Sequence, residues 1–322
     1  MRCSTSIPQP SPRSPRTPAG ARVPEFTVAT RASSLARAQT GWVREQLARE
    51  LACEVGEVLI TSEGDVSNAA LTSFGGQGVF VARVREAVVD GRADAAVHSM
   101  KDLPTADDVR TVVAAVPARE DIRDFLVTTH GGLQDLPQGA TVGTGSPRRM
   151  AYLRRRRPDL QVVAIRGNVD TRVSRVTDGD LDAVVVACAG LHRLGATPPG
   201  VALEGEEMLP AVGQGALAVE MRADDPRVAE IAFLDHAPTR AEVTAERALL
   251  AGLRAGCSAP VAAAATASGD DLTLQAAVLS MDGSQMYECT MTGSQADAEG
   301  VGRRAAELLI GQGADQLLGD MR

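Results

Sequence analysis

The order of the elements constrains this chain more than its composition does. Phe26–Ala29 reads as a strand and runs through Thr30–Ser34 into a helix reaching Leu51, with Ser33 or Ser34 as N-cap. Val55–Thr61 is a second strand, and Val79–Val89 is a helix with an apolar face. That helix ends at Gly91, before an apolar strand that closes on Val97 and His98. Near residue 122 the pattern restarts. Ala140–Gly143, Gln161–Ile165 and Leu181–Ala187 are strands, each followed by a helical stretch. Such alternation predicts parallel sheets with helices packed on their faces. From Thr239 the pattern changes. A helix over Glu242–Ala255 precedes three strand-like runs, Val261–Ala267, Leu272–Ser280 and Gln285–Thr292, separated by turn residues. A last helix covers about Gln295–Ile310. The expected architecture is two α/β units followed by an α+β unit with a three-stranded antiparallel sheet.

Composition narrows the function. Aromatic residues make up 2% of the 322 and the net charge is −8. Neither suits a stacking surface for single-stranded nucleic acid or attraction to phosphate backbones and anionic membranes. No apolar run reaches the length of a membrane span. The cysteines, at 3, 53, 188, 257 and 289, are scattered without zinc-type spacing, which suits a reducing compartment. Residues 1–24, rich in Ser, Pro and Arg without any acidic residue, read as a disordered tail rather than a secretory signal.

Lys101 is the only lysine among 33 basic residues. It stands beside Asp102 at the end of an apolar strand. Taken alone, the pair is more simply a solvated ion pair on a loop. In doubly wound sheets, however, ligands bind beyond the carboxyl ends of the strands. The loops there carry Arg31, Lys101, Arg148, Arg149, Arg166, Arg172 and Arg193. Ser146 and Pro147 start a helix whose free N–H groups face the same side. Gly167 and Asn168 form a turn between two of the arginines. The conjunction implies a ligand with several carboxylates or phosphates. The run Arg154–Arg157, at a helix C-terminus, reads as solvated surface. His98 reads as structural, and no dinucleotide or Walker loop is present.

Several segments, in order, resemble the porphobilinogen deaminase (hydroxymethylbilane synthase) family. They are ATRASSLA (29–36), HSMKDLP (98–104), GTGSPRR (143–149), RGNVDTR (166–172), AGLHRLG (189–195), LPAVGQGA (209–216) and AGCSAP (255–260). The resemblance implies two periplasmic-binding-protein-like α/β domains joined by two hinge crossings, plus the C-terminal α+β domain. Domain 1 would comprise 25–117 and 212–236, domain 2 residues 121–209, and domain 3 residues 238–322. It implies condensation of four porphobilinogens head to tail into a linear tetrapyrrole, hydroxymethylbilane, with loss of ammonia. Cys257 would carry a dipyrromethane cofactor through a thioether, and Asp102 would be the catalytic carboxylate. Arg31, Ser33, Lys101, Thr144, Ser146, Arg148, Arg149, Arg166, Gly167, Asn168, Arg172 and Gln214 would bind cofactor or substrate. The resemblance further implies a cytoplasmic monomer with no metal and no nucleic-acid or membrane partner. The chain departs from the family pattern at Glu63, Gln77 and Pro147, where Arg, Lys and Leu are common. A non-enzymatic binding protein of the same fold, or a regulatory derivative, would lack the covalent dipyrrole.

Overall fold

The computed structural model describes residues 25–60, 76–256 and 258–319. The expectations for residues 1–24, Glu63 and Cys257 fall outside these, as does the side chain of Gln77.

Three sheets organise the chain. The first contains β1 (Phe26–Arg31), β2 (Val55–Ile60), β3 (Ala95–Ser99), β4 (Thr111–Ala115) and β10 (Leu217–Arg222), in the order β2-β1-β3-β10-β4. Helices α1 (Ser34–Glu50) and α2 (Gly76–Val89) connect its parallel strands. The second contains β5 (Asp124–Thr128), β6 (Thr141–Thr144), β7 (Gln161–Ala164), β8 (Ala183–Ala187) and β9 (Gly200–Leu203), in the order β7-β6-β8-β5-β9. Its helices are α3 (Pro147–Arg156), α4 (Val169–Thr177) and the short α5 (Cys188–Leu194).

The sheets are mixed, not purely parallel as the alternation suggested. β10 runs antiparallel to β3 and β4, and β5 runs antiparallel to β8 and β9. The physical reason is the connectivity. The chain leaves the first lobe after β4, completes the second, and returns as β10, so each lobe includes a strand not delivered by a helical crossover. The two crossings touch: Glu120 donates its N–H to Gly215 O at 3.2 Å, and Arg119 Nε donates to Gln214 O at 2.8 Å. Gly215 has φ +87°, and a Cβ there would collide with Glu120 O, so only glycine fits.

The third unit comprises α6 (Ala237–Gly252), β11 (Val261–Ser268), β12 (Asp271–Leu279), β13 (Met286–Ser294), α7 (Ala298–Gln312) and α8 (Ala314–Gly319). Its sheet is antiparallel throughout, in the order β11-β12-β13. Period-two alternation divides its side chains. Val261, Ala263 and Ala265 pack with Leu249, Val301 and Leu309 of the helices. Ala262, Ala277 and Leu279 face the other way, into a core shared with Leu126, Leu153 and Met208 of the second lobe. A strand covered on both sides explains its unbroken apolar run.

Two further contacts fix this unit. Arg154 Nη1 donates to Met281 O at 2.7 Å and Arg155 Nη1 to Gly283 O at 3.3 Å. Arg156 donates to Glu206 O, and Arg157 pairs with Asp159 at 2.7 Å. The arginine run is therefore not merely solvated. It clamps the β12–β13 turn and neighbouring carbonyls onto the end of α3. The second contact is a buried junction. Arg119 pairs with both oxygens of Glu246 at 2.8 and 2.9 Å. Glu246, 0% exposed, also accepts from Gly213 N at 2.7 Å and Ala265 N at 2.8 Å. One carboxylate thus joins both crossings to the third sheet.

Candidate functional site

The strand ends and helix starts of both lobes converge. Ser33 caps α1 by accepting from Ala36 N at 3.4 Å, next to half-buried Arg31. β3 ends in a 3-10 turn, Met100–Asp102, whose Met100 N–H donates to Ala216 O at 3.0 Å. Across the cleft, buried Thr144 accepts from Ser146 N at 3.2 Å, and Ser146 caps α3 by accepting from Arg149 N at 3.5 Å. Pro147 takes the opening position of that helix, where its missing N–H costs nothing.

Arg148 and Arg149 are 2% and 5% exposed, deeper than binding side chains need to be. Asp124 is the reason. Its Oδ1 accepts from Arg149 Nε at 3.0 Å, Arg149 Nη2 at 2.7 Å and Gln214 Nε2 at 2.9 Å. Its Oδ2 pairs with Arg148 Nη1 at 2.7 Å. Burial would push this carboxyl up, but the two guanidiniums override it and hold the carboxyl well below the usual range.

A narrow cleft opens above this cluster, its lining including the cations Lys101, Arg149, Arg172 and Arg193 and the apolar Leu35 and Val169. Burial, reinforced by Arg149, lowers the Lys101 ammonium from the ordinary 10.5 to about 8, with Asp102 and Asp124 opposing. Burial also lowers Arg172 and Arg193, and Arg149 adds to the shift at Arg172. The Nε atoms of Arg148 and Arg172 are buried without a hydrogen-bond partner. Cations that depress one another, with orphaned donors among them, fit a group bearing several carboxylates.

The sequence-derived residues do not all meet there. Gln214 and Arg148 stand behind the lining, anchored on Asp124. Arg166, Gly167 and Asn168 are exposed. Asn168 caps α4 by accepting from Thr171 N at 2.9 Å, and Gly167 has φ +110°. Ser34 Oγ of the first lobe reaches Asp170 Oδ2 of the second at 3.4 Å. His98 is structural, with Nε2 3.0 Å from Glu220 Oε2 in the core. Sequence reading missed Asp124 and the Gln39–Ser99 pair, bonded at 2.9 Å beside Lys101. The usable signal for Asp124 was a carboxylate opening an apolar strand, a placement that demands a buried partner. Among the described residues, no group of three or more His, Cys, Asp or Glu is disposed to hold a metal.

Two family models match the chain. The "porphobilinogen deaminase, dipyromethane cofactor binding domain" covers residues 26–230, and the "porphobilinogen deaminase, C-terminal domain" covers 240–311. The chain belongs to the porphobilinogen deaminase family. The family's enzyme from Thermobifida fusca is 48% identical over 303 residues, covering 90% of this chain and 95% of that protein. The one from Mycobacterium avium is 49% identical over 308 residues, covering 92% and 97%. A solved methionine-binding protein, MetQ, is 12% identical with a TM-score of 0.42, covering 65% of this chain and 89% of that one. The fold described above rests on strand order rather than on that likeness. The family's cofactor is a dipyrromethane, and the cation surplus, with the orphaned Nε of cleft-lining Arg172, suits the acid arms of such a group. Cys257 itself lies outside the described residues, between Gly256 and Ser258.

Proposed function

We infer that this chain is a transferase that condenses four porphobilinogen molecules head to tail into hydroxymethylbilane, releasing ammonia. It does so on a covalently attached dipyrromethane primer. The observation that carries this reading is the surplus of buried and half-buried cations, Lys101, Arg149, Arg172 and Arg193, lining one cleft between both lobes. When bound, the dipyrromethane supplies the free pyrrole carbon that accepts the first unit, together with acid arms.

The chain's own residues then have distinct tasks. Cys257 would hold the primer through its sulfur. Lys101, Arg149 and Arg172 would grip acid arms inside the cleft, with Arg31 and Ser33 at the first lobe's side. Arg148, Thr144, Ser146 and Gln214 would support that surface from behind. Exposed Arg166, Gly167 and Asn168 would meet carboxylates at the rim. Asp102, adjacent to Lys101, would assist proton transfer to the departing amine of porphobilinogen and stabilise the cation left on that substrate. The domain division proposed is 25–117 with 212–236, then 121–209, then 238–322. A cytoplasmic monomer is proposed with it; among the described residues no helix is long and apolar enough to cross a membrane.

Intact mass spectrometry of the purified chain tests the reading. The expected mass exceeds that of the polypeptide by one dipyrromethane, and Cys257→Ser abolishes both the excess and turnover. A wild-type chain that turns over porphobilinogen at polypeptide mass overturns it.

A further inference from the structure

Helix α6 presents two adjacent stripes to the rest of the molecule. One contains Glu242 and Glu246. It faces the crossings and the third sheet, through Arg119, Gly213 N, Ala265 N and, for Glu242, Ala267 N at 3.1 Å. The other contains Val243 and Arg247, one helical turn apart and therefore on one face. That stripe meets the Lys101–Asp102 turn. Val243, 2% exposed, shares a core with Met100 and Leu103, which bracket the turn. Arg247 Nη2 donates to Pro104 O at 2.7 Å and Nη1 reaches Leu103 O at 3.4 Å.

Arg247 is half-buried, and burial lowers its pKa. A guanidinium used on two loop carbonyls is a costly way to hold ordinary surface. It is a direct way to fix where a loop's side chains stand. Leu103 and Pro104 immediately follow Asp102, and the same turn is tied through Met100 N to Ala216 O of the second crossing. The turn is thus held from below by Val243, from its exit by Arg247, and from the hinge by Ala216.

We propose that Arg247 is a positioning residue for the reaction: it holds the carbonyls after Asp102, so that the third unit sets the place of that carboxylate in the cleft of the first two. The inference rests on the reading of Asp102 as the catalytic carboxylate. It adds that α6, the helix that carries the Glu246 junction, also fixes the loop that follows that carboxylate.

The test uses the full chain as Arg247→Leu, Arg247→Lys and Asp102→Asn, each checked by intact mass. Arg247→Leu is expected to keep the dipyrromethane mass. Its kcat should fall roughly 10- to 100-fold, the scale on which small misplacements act, with KM changed less than about twofold. Hydrogen exchange should quicken over residues 99–105 while β11–β13 stay protected. Arg247→Lys should recover part of kcat, since an ammonium still reaches one carbonyl. Should Arg247→Leu not fold, Arg247→Met keeps an unbranched stem without a donor, and a several-fold kcat loss is expected from it. Unchanged kcat in the folded variant, or a raised KM with kcat intact, overturns the proposal while Asp102→Asn stays inactive. If Asp102→Asn turns over normally, it is the reading of Asp102 that has failed.

Discussion

At the scale of single residues, Lys101 has the clearest consequence. Its ammonium titrates near 8 in the fold against 10.5 ordinarily. Between those values the folded chain binds fewer protons than the unfolded one. This group therefore makes stability rise with pH across that window, and below it the charge is carried at a cost. The site's charge moves the opposite way, since the ammonium is lost above about 8. We predict that kcat/KM for porphobilinogen declines above pH 8. In Lys101→Arg, whose guanidinium stays charged, that limb should move up by more than about one unit. An identical limb in both proteins would show that another group titrates. Lys101 was legible in the sequence because it is unique. Asp124 was not, because its meaning lies in three partners 24 to 90 positions away along the chain. The roles of Arg148 and Arg149 were only half legible. Their location at a helix start was readable from Ser146 and Pro147, but their burial on Asp124 was not.

Elements were read best where a cap and a period coincide. Ser33 and Ser146 each cap the helix expected of them, by bonds to Ala36 N and Arg149 N, whereas Asn168, read only as a turn residue, also proves to be a cap, through Thr171 N. Ser146→Ala removes the α3 cap and should cost about 1 kcal/mol, seen as a lower urea midpoint with an unchanged slope. A midpoint that does not move would assign the start of α3 to Pro147 alone. Strands β4, β5, β9 and β10 were not read. Each is four to six residues long, and such short runs carry no period that separates strand from buried helix. β10 illustrates the difficulty. Glu220 within it looks polar enough to break the strand. In the structure that carboxylate is matched by Arg85 Nε at 2.8 Å, His98 at 3.0 Å and Thr111 Oγ1 at 2.7 Å.

For the whole molecule, the decisive contact is Arg119–Glu246. Glu246→Leu would leave a buried guanidinium with Glu242, 3.6 Å away, as its one remaining carboxylate, and two backbone N–H groups without acceptors. A loss of about 3–5 kcal/mol is expected in chemical denaturation, with the third unit melting ahead of the lobes. Glu299→Leu, which removes an exposed partner of Arg303, should stay within about 0.5 kcal/mol. Equal losses in the two variants would show that the junction does not bind the units. The succession of two α/β units and an antiparallel third was legible because the strand–helix alternation restarts near residue 122 and gives way to successive strands after Thr239. The junction was not, since nothing local in the sequence pairs residue 119 with residue 246.

The return of β10 also bears on how the chain folds while it is made. β10 lies between β3 and β4, so the first sheet has a gap at its middle until residue 222 has emerged. The second sheet is drawn wholly from 124–203 and can close earlier. At ordinary elongation speeds the first lobe waits roughly 5–20 s after β4 appears, with the flanks of β3 and β4 unpaired. The lobe synthesised second is thus the one completed first, and the nascent protein's exposed strand edges belong to its N-terminal half.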